Sequence, residues 1–103
     1  MTLAEFKKLL DATGYPVAYS HFEKETTLPF ITYLTPSTSN LIADNRVYQK
    51  INNVDVELYT KQKDLAAEQK LESVLDQAEI PYDVTEIFIE DQKVYQRIYE
   101  ITL

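Results

Sequence analysis

Cysteine and tryptophan are absent from this chain, and glycine occurs once, as Gly14. Without cysteine there is no disulfide, no thiolate nucleophile and no sulfur-ligated zinc; the composition fits a reducing cytoplasm. A single glycine excludes Walker-type and dinucleotide-binding loops, which need several glycines so that backbone N–H groups can approach a phosphate closely. Positive charge is also scarce. Ten Lys and Arg face seventeen Asp and Glu, giving a net charge of −7. Such a surface repels polyanions and anionic membranes. Lys7-Lys8, Lys61 and Lys63 are too few to form the basic stripe that nucleic-acid binding requires. Long apolar runs are missing: "LPFITYL" falls far short of a membrane span. The start, "MTLAEFKK", lacks the basic and apolar regions of a secretory signal.

What is present fits one globular domain over residues 1–103, with 45% of residues apolar or aromatic and 26% charged. Thr2 and Glu5 have capping-box spacing, and Leu3, Phe6, Leu9 and Leu10 follow on one helical face. Gly14 and Pro16 close that helix. "PVAY" (16–19) reads as a short strand and "PFITYL" (29–34) as a fuller one, with a polar loop between them. Residues 35–45 read as a long loop, with Asp44 and Asn45 as turn formers near its end. "RVYQKI" and "VDVELYT" read as two strands joined by an Asn52-Asn53 turn. In the second, Val54, Val56 and Leu58 alternate with Asp55, Glu57 and Tyr59, the pattern of a sheet with one wet face. A helix over 64–79 is expected, with Asp64 as N-cap, Ala67, Leu71, Val74, Leu75 and Ala78 inside, and Glu68, Lys70, Glu72 and Asp76 outside. Two last strands, near 82–90 and 93–102, meet at Asp91-Gln92. Ile87, Phe88 and Ile89 are apolar on both faces, which predicts a central strand. The expected class is α+β: a mainly antiparallel sheet with two helices on one face.

No residue pattern announces catalysis. His21, the one histidine, has no nucleophile or orienting partner visible in the sequence. Asp83 with Asp91 and Lys93 faintly echoes a metal-dependent nuclease, but "DQK" falls in a turn rather than mid-strand. Glu86, Glu90, Asp91 and Glu100 read as a solvated acidic face. Tyrosine is in excess, with eight, more than one small core is expected to hide; a protein interface is the functional reading.

The landmarks "PVAY", "PFI.Y", "ADN..Y", "ELYT..KD...E..LE..L" and a closing "YQ..YE" span most of the chain. In order and spacing they resemble small head-tail-module proteins of long-tailed phages and prophages of Gram-positive bacteria. The resemblance implies a head-tail joining or tail-completion protein, an α+β subunit that assembles into a ring between tail tube and head connector. It implies no enzyme activity, no catalytic, cofactor or metal residues, and no cofactor. Implied partners are further copies of the chain, tail-tube proteins and head-connector proteins, with no sequence-specific nucleic acid and no membrane. The implied location is the host bacterial cytoplasm during assembly, then the virion. Within this reading Leu41, Ile42, Asn45, Tyr48, Tyr59, Tyr95, Arg97 and Tyr99 are the expected interface residues. Loop 35–45 would serve as an arm anchored by Leu41 and Ile42, or as a lid over its own sheet. The alternatives are another component of the same module, a connector adaptor or tail-tube protein, and a small acidic protein-binding or inhibitor module.

Overall fold

The computed structural model describes every residue except Asp44 and Asn45, and side chains outside residues 40–50. The elements in order are α1 (Leu3–Asp11), β1 (Val17–Tyr19), β2 (Phe30–Ala43), β3 (Arg46–Thr60), α2 (Leu65–Gln77), β4 (Asp83–Ile89) and β5 (Val94–Thr102). They form one five-stranded sheet in the order β1-β2-β3-β5-β4. Only β1 and β2 run parallel; the other pairs are antiparallel. The fold is α+β.

Both helices start as their sequences dictate. Thr2 Oγ1 accepts from the Glu5 amide while the Glu5 carboxylate accepts from the Thr2 amide, so two otherwise orphaned N–H groups are satisfied at once. The Asp64 side chain accepts from the Ala67 amide to open α2. Helix α2 ends with Glu79 N–H bonded to the Asp76 carbonyl and Ile80 N–H to the Leu75 carbonyl, a Schellman arrangement. Glu79 stands in the left-handed conformation, φ 59°, where glycine is usual.

Phe6, Leu10, Ala67, Leu71 and Leu75 from the helices meet Ile31, Tyr33, Val54, Val56, Leu58, Tyr99 and Ile101 from the sheet, all buried. The wet-face pattern of β3 is as expected: Val54, Val56 and Leu58 are inside, and Asp55, Glu57 and Tyr59 point to the other face.

Four expectations are corrected. Residues 35–43 are not a loop; they continue β2, paired with β3 to Ala43↔Arg46. The Thr- and Ser-rich run looked loop-like because it lacks apolar alternation, yet a partner strand satisfies its backbone, and Thr, Leu and Ile accept extended geometry. Pro36, which has no N–H, falls where the β2–β3 register shifts between Leu34 and Ser37, a bulge position that spares a ladder bond. Asn52-Asn53 is not a turn: β3 runs straight through it, with Asn53 facing Ser37 and Asn52 facing Thr38. Strand β4 is an edge strand rather than a central one, and Val84, Ile87 and Phe88 remain 38%, 48% and 42% exposed. Finally, Glu68 of α2 is buried, not outside.

The consequence is an elongated molecule, 49 × 29 × 24 Å. Strand β5 accompanies β3 only from Asn53 to Thr60, with Leu103 bonded to Asn52 at the margin. Strand β1 accompanies β2 only over Ile31–Tyr33. Beyond these limits β2 and β3 continue as a two-stranded ribbon, here termed the arm.

Candidate protein interface

Two surfaces of the sheet lie away from the helices: its helix-free face and the arm. On that face Phe22, from the β1–β2 loop, lies edge-on to Phe30 at 5.1 Å, and Phe30 lies against Tyr59 at 5.0 Å. Beside these rings is a polar network. Thr32 Oγ1 donates to Glu57 Oε1 at 2.9 Å. Gln96 Nε2 donates to Glu57 Oε2 at 2.6 Å and to the Tyr59 hydroxyl at 2.8 Å. Three neighbouring strands thus converge on one half-buried carboxylate. Burial raises the Glu57 pKa above the usual carboxylate range, with Asp55 adding to the effect and the Thr32 and Gln96 bonds opposing it. Burial likewise raises that of Tyr59, helped by the Glu57 charge. A face meant only for water would leave Glu57 solvated. Alternation identifies the face, but nothing in the residue pattern marks Glu57 as half-enclosed.

The same β1–β2 loop lines a shallow groove of about 540 Å³ with Phe30, Thr32, Tyr59 and Gln92. His21 lies in it. Its Nδ1 is 3.2 Å from Ser20 Oγ and its Nε2 3.1 Å from Glu23 Oε1. A serine, a histidine and an acid in sequence contact suggest a triad, but these are contacts between residues one and two apart. The His21 and Glu23 side chains are 66% and 89% exposed, so water competes for every bond. Asp83 and Asp91 stand at opposite ends of β4, and Lys93 binds Glu90 at 2.6 Å, so the structure does not assemble the nuclease-like set. Among the described residues no group of three acidic or histidine side chains is placed to hold a metal ion.

Further along the sheet Asp55 is paired with Glu100, and Glu100 with Asp83. This places three carboxylates in a row across β3, β5 and β4. Like charges directly opposite repel, so the row favours a cationic neighbour.

On the helix side, Arg97 holds Glu68, Glu72 and Glu86 at 3.3, 3.6 and 3.4 Å, and Lys63 holds Glu68 at 2.7 Å and Glu86 at 3.0 Å. The Tyr99 hydroxyl donates to Glu72 Oε2 at 2.6 Å and accepts from Arg97 Nε at 2.9 Å. Burial, followed by the Glu72 bond, raises the Tyr99 pKa far above the usual tyrosine range. This network ties α2 to β4 and β5.

The expected interface residues therefore separate. Tyr99 is fully buried and Arg97 is committed to the ion network, so neither is a free surface. Their strand faces the helices at those positions, which sequence alternation alone did not reveal. Tyr59 is half-buried on the helix-free face, and Tyr95 packs on Phe88 at 5.0 Å. Leu41, Ile42 and Tyr48 belong to the arm, with Tyr48 at a second register shift between Leu41 and Ile42. Asn45 lies outside the described residues. The tyrosine excess is largely internal: Tyr33 and Tyr99 are buried, and Tyr15 and Tyr82 pack against the core. Among the described side chains Tyr19 is the exposed one, at 48%.

No known family's model matches the chain, and no curated protein matches it. No helix among the described residues is long and apolar enough to cross a membrane.

Proposed function

We propose that this chain is a structural subunit that completes a phage tail and joins it to the head connector by assembling into a ring. The observation that carries the reading is the arm. A ribbon extending six residues, Arg46–Ile51, past the last supporting strand is about 20 Å long at the usual rise per residue. An isolated two-stranded ribbon is marginal in water, so its length makes sense when a partner covers it. The resemblance of the sequence landmarks to head-tail-module proteins supplies the kind of partner: further copies of the chain, then tail-tube and connector proteins. The aromatic strip of Phe22, Phe30 and Tyr59 offers a second contact surface.

The test is native mass by light scattering over a concentration series, followed by mixing with purified tail tubes and connector-bearing heads. The expected result is a ring-sized oligomer that forms at high concentration or on tubes, and that restores joining to tails lacking it. Failure to bind tubes, connectors or itself would refute the proposal.

A further inference from the structure

Besides the outer edges of β1 and of β2 beyond Tyr33, the sheet has two further open backbone edges among the described residues. One is the outer edge of β4, which pairs only with β5. The other is the outer edge of β3 within the arm, Arg46–Ile51, which lies beyond the reach of β5. Folded proteins usually blunt an exposed edge with proline, inward charge or extreme shortness. Strand β4 is seven residues long and proline-free, its inward charge Glu86 is already paired with Lys63 and Arg97, and Val84, Ile87 and Phe88 stay exposed.

We infer that the outer edge of β4 receives the arm strand Arg46–Ile51 of a second copy, extending the sheet from one subunit into the next. The inference deepens the ring proposal and rests on it. Charge selects this occupant. The arm strand "RVYQKI" carries Arg46 and Lys50 and no acid, in a chain of net charge −7. In the receiving segment "DVTEIFIED", Glu86 is held by Lys63 and Arg97 and Glu90 by Lys93, which leaves Asp83 and Asp91 to meet a basic strand. Asp83 also ends the carboxylate row with Glu100 and Asp55. A basic strand laid beside β4 would relieve that repulsion, and two β4 strands laid together would compound it. Length agrees as well, six residues against seven. Because donor and acceptor edges differ, the contact is heterologous, and repeating it closes a ring or propagates a filament. Main-chain bonds supply the affinity and the charges supply the choice of partner.

The absence of cysteine permits a direct test. Ile87→Cys and Gln49→Cys are made separately, mixed at concentrations where the wild type assembles, and treated with a short bis-maleimide. Thermal melts of both variants verify folding. The expected product is a covalent pair of twice the 12.0 kDa chain mass, formed in the mixture and not by either variant alone. Arg46→Glu with Lys50→Glu should lower both cross-linking and assembly by about tenfold or more at low salt. Cross-linking of Ile87→Cys with itself would mean symmetric β4 pairing and overturn the inference. Oligomers that form without any cross-link would also overturn it, by placing the contact elsewhere, while leaving the joining function standing. A monomer at every concentration, alone and with tubes, would overturn both.

Discussion

Asn52 and Leu103 exchange a pair of backbone hydrogen bonds, Leu103 N–H to the Asn52 carbonyl at 2.8 Å and Asn52 N–H to the Leu103 carbonyl at 3.1 Å. They mark the point where the arm leaves the body. Past them each ribbon strand has one neighbour instead of two, so opening costs less there. In the free protein, amides of residues 46–51 should exchange at least about tenfold faster than those of 54–60, and assembly should erase much of the difference. Hydrogen exchange with mass spectrometry reads both states. Equal protection in the free protein would show that the arm is held by something other than its own ladder.

The Tyr99 hydroxyl sits between Glu72 and Arg97 with no access to water. Tyr99→Phe keeps the ring but strips one partner from each charged group. It should cost about 2 kcal/mol in urea unfolding at neutral pH, since bonds to charged groups exceed neutral ones. A loss within experimental error would mean that water replaces the hydroxyl.

Glu57 gives a pH signature. Its folded pKa is raised, chiefly by burial, so the folded state holds the proton more tightly than the unfolded chain. The contribution is stabilising below the unfolded value near 4.5 and is lost as pH rises through the folded value. Glu57→Gln removes this titration. The stability of the wild type relative to the variant should therefore fall as pH rises above about 4.5 and level off once Glu57 is ionised in the folded state. Urea midpoints at several pH values measure it. A relative stability that rises with pH would mean that the hydrogen bonds from Thr32 and Gln96 outweigh burial.

Glu79 holds the left-handed position that closes α2. Glu79→Gly should stabilise the fold by about 1 kcal/mol, seen as a higher melting temperature, because glycine adopts this conformation without the Cβ penalty. Gly14, φ 84°, is the converse case, and Gly14→Ala should destabilise although nothing lies within 4 Å to clash with the added Cβ.

Local chemistry was the readable part of this sequence. The caps at Thr2 and Asp64, the apolar stripe of α2 and the alternation from Val54 to Tyr59 each depend on residues close in the chain. The misread parts depended on distant partners. Residues 35–43 are extended because β3 pairs with them, and nothing inside "TPSTSNLIA" encodes that pairing. Asn52-Asn53 has turn chemistry, but the ladder to Ser37 and Thr38 overrides it. Strand β4 looked central because it is apolar on both faces, and its edge position follows only from strand order. Glu68 looked solvated on its helix, and it is the opposing Arg97 and Lys63 that permit its burial. The tyrosine count suggests a surface, yet edge-to-face pairs such as Tyr33 with Phe6 and Tyr99 with Tyr82 place several inside. For the candidate interface, the sequence located the wet face but not the enclosed Glu57 network.

The most direct measurement is assembly with the arm removed. Ser39 faces Ile51 in the register, so replacing residues 40–50 with Asn-Gly closes the ribbon by a two-residue turn at that pair. The body below is untouched, and the melting transition should stay within a few degrees of the intact protein. The account predicts that this shortened protein remains monomeric at every concentration in light scattering and fails to join tails to heads, while the intact chain assembles. Ring-sized oligomers, or restored joining, from the shortened protein would contradict it.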